Sequence, residues 1–188
     1  MGISIFKGCL GLDTACKNKK GGILMKKKKQ GVSRISLPCP VILLSAGTAE
    51  KQDAMTATAM FVSEEPPLVV VSVGKYSFSH GLIEKTGEFV LNVAATEQVK
   101  LAKLLGATHG GELDKFKEFN IGVEEAESVV SPLIKGSYSH LECKVITSYP
   151  LGHYVLYLAS VSVYKVDEKK VPLAWHALRY FSLDKGVT

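Results

Sequence analysis

No apolar run in this chain approaches the roughly 18 to 20 residues that a membrane span requires. The most hydrophobic window, residues 154–164, is only strand-length. The opening Met1-Gly2-Ile3-Ser4-Ile5-Phe6-Lys7 is too short for a secretory core and is broken by Lys7 and Asp13. It also sets Phe6 where a myristoylation signal needs Ser or Thr. A cytoplasmic protein without a membrane span is the expectation. Cys9, Cys16, Cys39 and Cys143 form no Cys-x-x-Cys pair and have no histidine at ligand spacing. That removes a zinc site and a dithiol redox motif, and no metal is expected. Cys143 falls in a strand pattern and reads as a small buried hydrophobe. Cys39, between Pro38 and Pro40, has no activating neighbour.

Two nucleotide-binding signatures are missing as well. Gly74-Lys75 lacks the upstream glycine of Gly-x-x-x-x-Gly-Lys-Ser/Thr and is followed by Tyr76, and Gly-x-Gly-x-x-Gly occurs nowhere. P-loop chemistry and a dedicated Rossmann domain are thereby set aside. The formal charge of +5 misleads, because residues 1–34 hold nine Lys/Arg against Asp13 alone. The remainder carries 14 basic and 17 acidic residues, so the body is mildly acidic and no nucleic-acid partner is expected. The arm culminates in Lys26-Lys27-Lys28-Lys29, has no sustained periodicity, and cannot bury enough apolar surface to offset its ordering entropy. Residues 1–34 are therefore read as a disordered basic arm or extension, with Met25 as a candidate start, and residues 35–188 as one domain.

Within that domain strands dominate. Residues 41–46 form a short apolar run, residues 54–63 alternate hydroxyl and apolar side chains, and residues 68–73 follow Pro66-Pro67. Residues 89–93 form another short strand. Residues 79–85 read as a helix capped by Ser77 or Ser79 and ended by Gly87. A second helix is expected over residues 97–105, after Thr96, stopping at Gly106. Residues 109–130 read as a surface excursion anchored by Phe116 and Phe119. Residues 140–149 and 153–166 read as an antiparallel hairpin joined at Pro150-Leu151-Gly152. Short strands at close spacing with two helices predict a mainly β barrel with flanking helices, not a doubly wound sheet.

The chemistry-bearing residues gather around the strand that follows the Pro-Pro turn. Lys75, Ser77, Ser79 and the N-terminus of the first helix compose a candidate anion site, where free backbone N–H groups and the helix dipole favour a phosphate. Ser72 is placed to point the same way from the strand end.

Several motifs together resemble the flavin reductase-like family, the FMN-binding split-barrel group that includes flavoredoxins. They are Pro40-Val41, Met55-Thr56-Ala57-Thr58-Ala59, Pro66-Pro67-Leu68-Val69-Val70-Val71-Ser72-Val73 and Ser77-Phe78-Ser79-His80. Gly87-Glu88-Phe89-Val90-Leu91-Asn92-Val93 and Tyr149-Pro150-Leu151-Gly152-His153 complete the set. The resemblance spans roughly residues 38–183 and implies an FMN-binding split β-barrel. It implies that the strand of Met55, Thr56, Ala57 and Thr58 lines the isoalloxazine ring, with Asp53 near the flavin edge. Ser72, Val73, Gly74, Lys75, Ser77 and Ser79 fall where the phosphate and ribityl chain are held, with His80 beside them. His153 matches a polar position facing the flavin and is the implied catalytic residue. Many members carry Thr at Ser79 and Arg near Lys75, and lysine gives a point charge where arginine gives a fork.

The same resemblance implies an oxidoreductase with FMN, or else FAD, and NAD(P)H as a transient co-substrate delivering hydride to the flavin. FMN is favoured because no extension is seen that would hold an adenosine. The resemblance thus implies a flavin or ferric reductase, with electrons passing to a small-molecule acceptor such as free flavin, a ferric complex or oxygen, or to a protein acceptor, and a homodimer is implied. Two other readings stay open: a flavoredoxin-type carrier reduced by a protein partner, and a nonenzymatic split-barrel module whose pocket is empty or takes another cofactor such as haem. Trp175, with Leu178, Tyr180 and Phe181, is read as a packing or dimer-contact cluster and not as a ring clamp.

Overall fold

The run of residues 41–46 carries only Ser45 as a polar side chain, and the strand it forms, β2 (Ile42–Gly47), is buried from end to end. Ile42, Leu44 and Ala46 face one core while Val41 and Leu43 face another. An unbroken apolar run is the signature of a strand covered on both faces. The computed structural model describes residues 37–111 and 113–184; the basic arm expected over residues 1–34 lies outside them.

Before β2 comes the short β1 (Cys39–Pro40), and after it β3 (Gln52–Ala57), β4 (Ala59–Ser63), β5 (Leu68–Gly74), α1 (Phe78–Thr86) and β6 (Glu88–Val93). A 3₁₀ turn then leads into α2 (Val99–Ala107), followed by α3 (Lys115–Glu118), β7 (Val123–Glu124) and β8 (Leu133–Ile134). The chain finishes with β9 (Ser139–Leu151), β10 (Tyr154–Val166), β11 (Leu173–His176) and β12 (Arg179–Ser182). No helix among the described residues is long and apolar enough to cross a membrane.

Seven strands form one sheet in the order β3-β2-β6-β9-β10-β5-β4. Its two outer strands, β3 and β4, are consecutive in the chain, so the sheet closes on itself through the single residue between them, Thr58. Ala57 is the last partner of β2, opposite Ile42, and Ala59 the first partner of β5, opposite Val71. The alternation over residues 54–63 predicts one strand; the structure divides it between two neighbours. Ala57 and Ala59 both face the barrel interior, so the period of two runs through the break and conceals it.

The interior is filled by Val69, Val71 and Val73 of β5, Phe89 and Leu91 of β6, Cys143 of β9, and Val155, Tyr157 and Ala159 of β10. Leu82 and Ile83 of α1 join the same cluster. Cys143 is fully buried, and burial pushes its thiol up to about 12, which leaves it inert as a nucleophile. On the outer face of β2 and β3, Val41, Leu43 and Ala54 pack against Ala102 and Leu105 of α2 and Phe116 of α3.

The turns set the remaining boundaries. Ser77 caps α1 by accepting from the His80 N–H at 3.2 Å, and Gly87 ends it at φ 69° with its N–H on the Ile83 carbonyl at 2.7 Å. The expected stop at Gly106 does not occur: α2 starts at Val99 and runs to Ala107. Gly106 is not among the residues at positive φ, and without the left-handed step a glycine does not end a helix. Pro150 and Leu151 also stay inside β9, opposite Val155 and Tyr154, and the hairpin turns at Gly152-His153 with Gly152 at φ 59°. Proline is tolerated at that point because β9 has outrun its other partner, β6, which pairs only as far as Lys144.

Candidate functional site

Where the chain leaves β2 for β5, the outer surface opens into a cavity of about 180 Å³. Met55, Thr56, Ala57 and Thr58 form one side of it, Ser72, Gly74 and Tyr154 another, and Val41, Trp175 and Tyr180 a third. Alternation along β5 decides which residues arrive. Val71 and Val73 fill the barrel, so Ser72 and Gly74 face outward into the cavity. Register brings Tyr154 there too, because it lies directly opposite Gly74. Thr58 pairs in neither flanking ladder, so backbone donor and acceptor capacity is concentrated on this wall. A Cβ placed on Gly74 meets nothing within 4 Å.

The third wall is built by the C-terminal aromatics. Trp175 and Tyr180 are cross-strand partners in the β11–β12 hairpin, and Trp175 also lies opposite Cys39 of β1. Both pack on the outer core, as expected, but both also line the cavity. The Tyr180 hydroxyl is the one buried side-chain polar atom among the described residues without a hydrogen-bond partner, and its burial raises the phenol above its ordinary range. Leaving such a group unpaired costs roughly 1–3 kcal/mol, which a ligand acceptor in the cavity would recover. The Lys103 ammonium lies 5.6 Å from the centre of the Tyr180 ring.

The hairpin carrying these rings turns through Ala177 and Leu178, both left-handed at φ 47° and 66°. Such a two-residue turn favours Asn-Gly, and a side-chain-bearing residue there costs about 1–2 kcal/mol. Leu178→Gly is expected to stabilise the fold by about 1 kcal/mol, since Leu178 is half exposed and loses little packing. Thermal unfolding checks this, and a lower midpoint would refute it.

The residues singled out in the sequence are not all brought together. Met55, Thr56, Ala57, Thr58, Ser72 and Gly74 meet at the cavity, although the Thr56 hydroxyl donates to the Ala102 carbonyl at 2.6 Å. Val73 is fully buried in the barrel and offers the cavity no side chain. Lys75 is exposed, with its N–H on the His153 carbonyl at 2.9 Å, which ties the end of β5 to the β9–β10 turn. His153 is therefore exposed beside cavity residues Gly74 and Tyr154, its ring 6.2 Å from that of Tyr76. The Ser77 hydroxyl is engaged as the α1 cap.

Asp53, Ser79 and His80 do not line this cavity. Asp53 is buried, 3.0 Å from the Lys115 ammonium, and accepts from the Ser79 hydroxyl at 2.6 Å. Lys115 also donates to the Ala54 carbonyl at 2.6 Å. Gly110 presses so closely on Asp53 that an added Cβ would overlap its carboxylate. One polar cluster thus ties β3, α1, α3 and the loop before α3 together from beneath. His80 Nδ1 lies 2.6 Å from the Tyr157 hydroxyl, which donates to Glu84 at 2.6 Å. That pair orients α1 on the barrel and does not reach the cavity.

A β-barrel closed at the Thr58 break, with a cleft there walled by aromatics and unpaired strand backbone, defines a split barrel with a candidate small-molecule site. Residues 33–184 match the family described as Flavin reductase like domain, and the chain belongs to that family. Among curated relatives, the NADH-dependent FMN reductase AsuE2 of Streptomyces nodosus subsp. asukaensis is 31% identical over 78% of this chain and 80% of its own length. The reductase subunit HsaB of a flavin-dependent monooxygenase from Rhodococcus jostii is 31% identical over 68% of this chain and 62% of its own. The fold is shared with the NADH:FAD oxidoreductase SgcE6 of Streptomyces globisporus (TM-score 0.76, 24% identity, 89% of this chain and 100% of that one). It is shared too with the flavoredoxin of Desulfovibrio vulgaris (TM-score 0.75, 19% identity, 90% and 96%). The fold and oxidoreductase class expected from the sequence are those of these relatives.

Proposed function

We propose that the chain is an NADH-dependent flavin reductase that holds its flavin in the cavity at the Thr58 break. The observation that carries this reading is the conjunction of unpaired backbone at Thr58, an open face at Gly74 and an unpartnered hydroxyl at Tyr180 around one cleft. The residues present fit a flat, mostly apolar ring with a polar edge. Trp175 and Tyr180 supply aromatic wall, Thr58 and Ser72 supply hydrogen-bonding groups, and Gly74 lets the ring lie against the strand. Lys75, exposed at the end of β5, is the charge available to a phosphate. A bound flavin would supply the hydride and electron chemistry itself, so the chain needs no acid–base triad. His153, exposed at the rim, orients the incoming nicotinamide co-substrate.

NADH is favoured over NADPH by the names of relatives such as AsuE2 and the Rhodococcus NADH-dependent flavin reductase, 29% identical over 77% of this chain. The HsaB likeness supports a separate oxygenase component as acceptor. A homodimer is supported by the outward faces of β4, β5, β9 and β10, where Met60, Val70, Leu158, Leu156 and Tyr149 lie in register beside cavity residues Ser72 and Tyr154. Sedimentation equilibrium giving twice the chain mass is the expected result.

The deciding experiment is an absorbance spectrum of flavin-loaded protein under anaerobic conditions, before and after NADH. Bleaching of the flavin bands with turnover is expected; bands that persist with both NADH and NADPH would leave a carrier reduced by a protein. Lys75→Ala is expected to weaken FMN about tenfold while leaving riboflavin nearly unchanged, as for one charge-assisted contact. Equal losses in a fluorescence titration of both ligands would remove Lys75 from the phosphate site.

A further inference from the structure

Two walls of the cavity at Thr58 face each other across a gap in the hydrogen-bonded sheet. β3 pairs with β2 alone, and β5 pairs with β4 only from Leu68 to Val71. Met55 to Ala57 and Ser72 to Gly74 therefore stand on opposite sides of a split that no ladder bridges among the described residues. Their separation is left to side chains. One side-chain bond crosses the split from beneath: Ser79, on the helix that follows β5, donates to the Asp53 carboxylate of β3 at 2.6 Å. Asp53 stands two residues ahead of Met55 in the same strand. The Lys115 ammonium of α3 fixes the acceptor, 3.0 Å from the carboxylate, and donates to the carbonyl of Ala54, the residue next to Met55, at 2.6 Å. All three side chains are buried, so water does not compete for these bonds. None of them lines the cavity.

We propose that Ser79, Asp53 and Lys115 are positioning residues for the reductase site, a step that rests on the flavin reading above. Their staple sets the separation between the wall of Met55 to Thr58 and the wall of Ser72 to Gly74, and so the width offered to a flavin ring. Lys115 locks the β3 side and Ser79 ties the β5 side to it. A buried ion pair contributes little stability over an apolar replacement but holds one arrangement against its alternatives. A wall without a ladder needs that. Because the staple acts on the ring's berth, it serves riboflavin and FMN alike, whereas Lys75 serves FMN alone.

Ser79→Ala supplies the test, since it removes the bond across the split and leaves Asp53 with Lys115. Ser79→Thr keeps the hydroxyl. Fluorescence titrations with FMN and riboflavin are run on wild-type and both variants, with hydrogen exchange on the flavin-free proteins. The Ala variant is expected to lose about tenfold in affinity for both ligands, and the Thr variant to stay close to wild type. In the flavin-free Ala variant the amides of β3 are expected to exchange about tenfold faster while those of β6 are unchanged. A loss confined to FMN would place the Ser79 hydroxyl on the phosphate and overturn the proposal. Unchanged affinity for both flavins beside a lowered Tm, the mark of a purely structural tie, would overturn it as well. Faster exchange in β3 with no flavin bound even by wild type would instead keep the tie across the split and sink the flavin reading.

Discussion

Lys115→Met is expected to lower the free energy of unfolding by about 3–5 kcal/mol, the usual penalty for removing one partner of a buried ion pair. Both side chains are almost wholly inaccessible, at 2% for Lys115 and 3% for Asp53. Methionine keeps the length and packing of the lysine stem but leaves the Asp53 carboxylate in the interior with, among the described residues, only the Ser79 hydroxyl bonded to it. It also strips the Ala54 carbonyl of its donor. For a domain of this size the loss amounts to a fall of about 10 °C in Tm. Adding Asp53→Asn removes the stranded charge while keeping an acceptor for Ser79, and the double variant should regain more than half of the loss. Urea unfolding of both proteins measures it. A single variant within about 1 kcal/mol of wild type would mean that the carboxylate is not sealed from water.

At the site itself the largest expected effect comes from Gly74→Phe. Gly74 faces the cavity beside Ser72, with open space where its Cβ would stand, so a phenyl ring there occupies the cleft without crowding the protein. FMN affinity should fall by about 100-fold or more, equivalent to some 2.7 kcal/mol. Gly74→Ala adds only a methyl group and should change affinity by no more than a few-fold. The strand conformation suits both residues, since Gly74 is not at positive φ. Flavin fluorescence titration gives the affinities and circular dichroism confirms the fold. A Phe variant that binds FMN like wild type would move the flavin away from the Thr58 cleft.

These two positions mark how differently fold and site were written in the chain. The apolar run of β2, the period of two along β5, and the glycine that stops α1 are local signals, and each produced the element expected of it. The cavity wall along residues 55–58 and at Ser72 was likewise readable from the family-like motifs. The structure engages Asp53 with Ser79 and the buried Lys115, and a polar residue beside a ligand motif looks the same in sequence whether it faces a ligand or such a partner. Lys115, sixty-two positions after Asp53 in the numbering, carries no local sign of that pairing. Trp175 and Tyr180 were obscured for another reason. Their hairpin turns through Ala177-Leu178, which has none of the Asn or Gly that announces a tight turn, so nothing local shows that the two rings face one another.

What the sequence by itself determined is the β-rich class, the positions of most strands, the caps of α1 and the membership of a family, because these depend on periodicity and on short-range chemistry. What only the tertiary structure decided is the break at Thr58, the aromatic wall of the cleft, and the burial of Asp53 with Lys115. Each of these depends on which neighbour a residue meets across the barrel, and alternation along a strand fixes a side chain's face but never its partner.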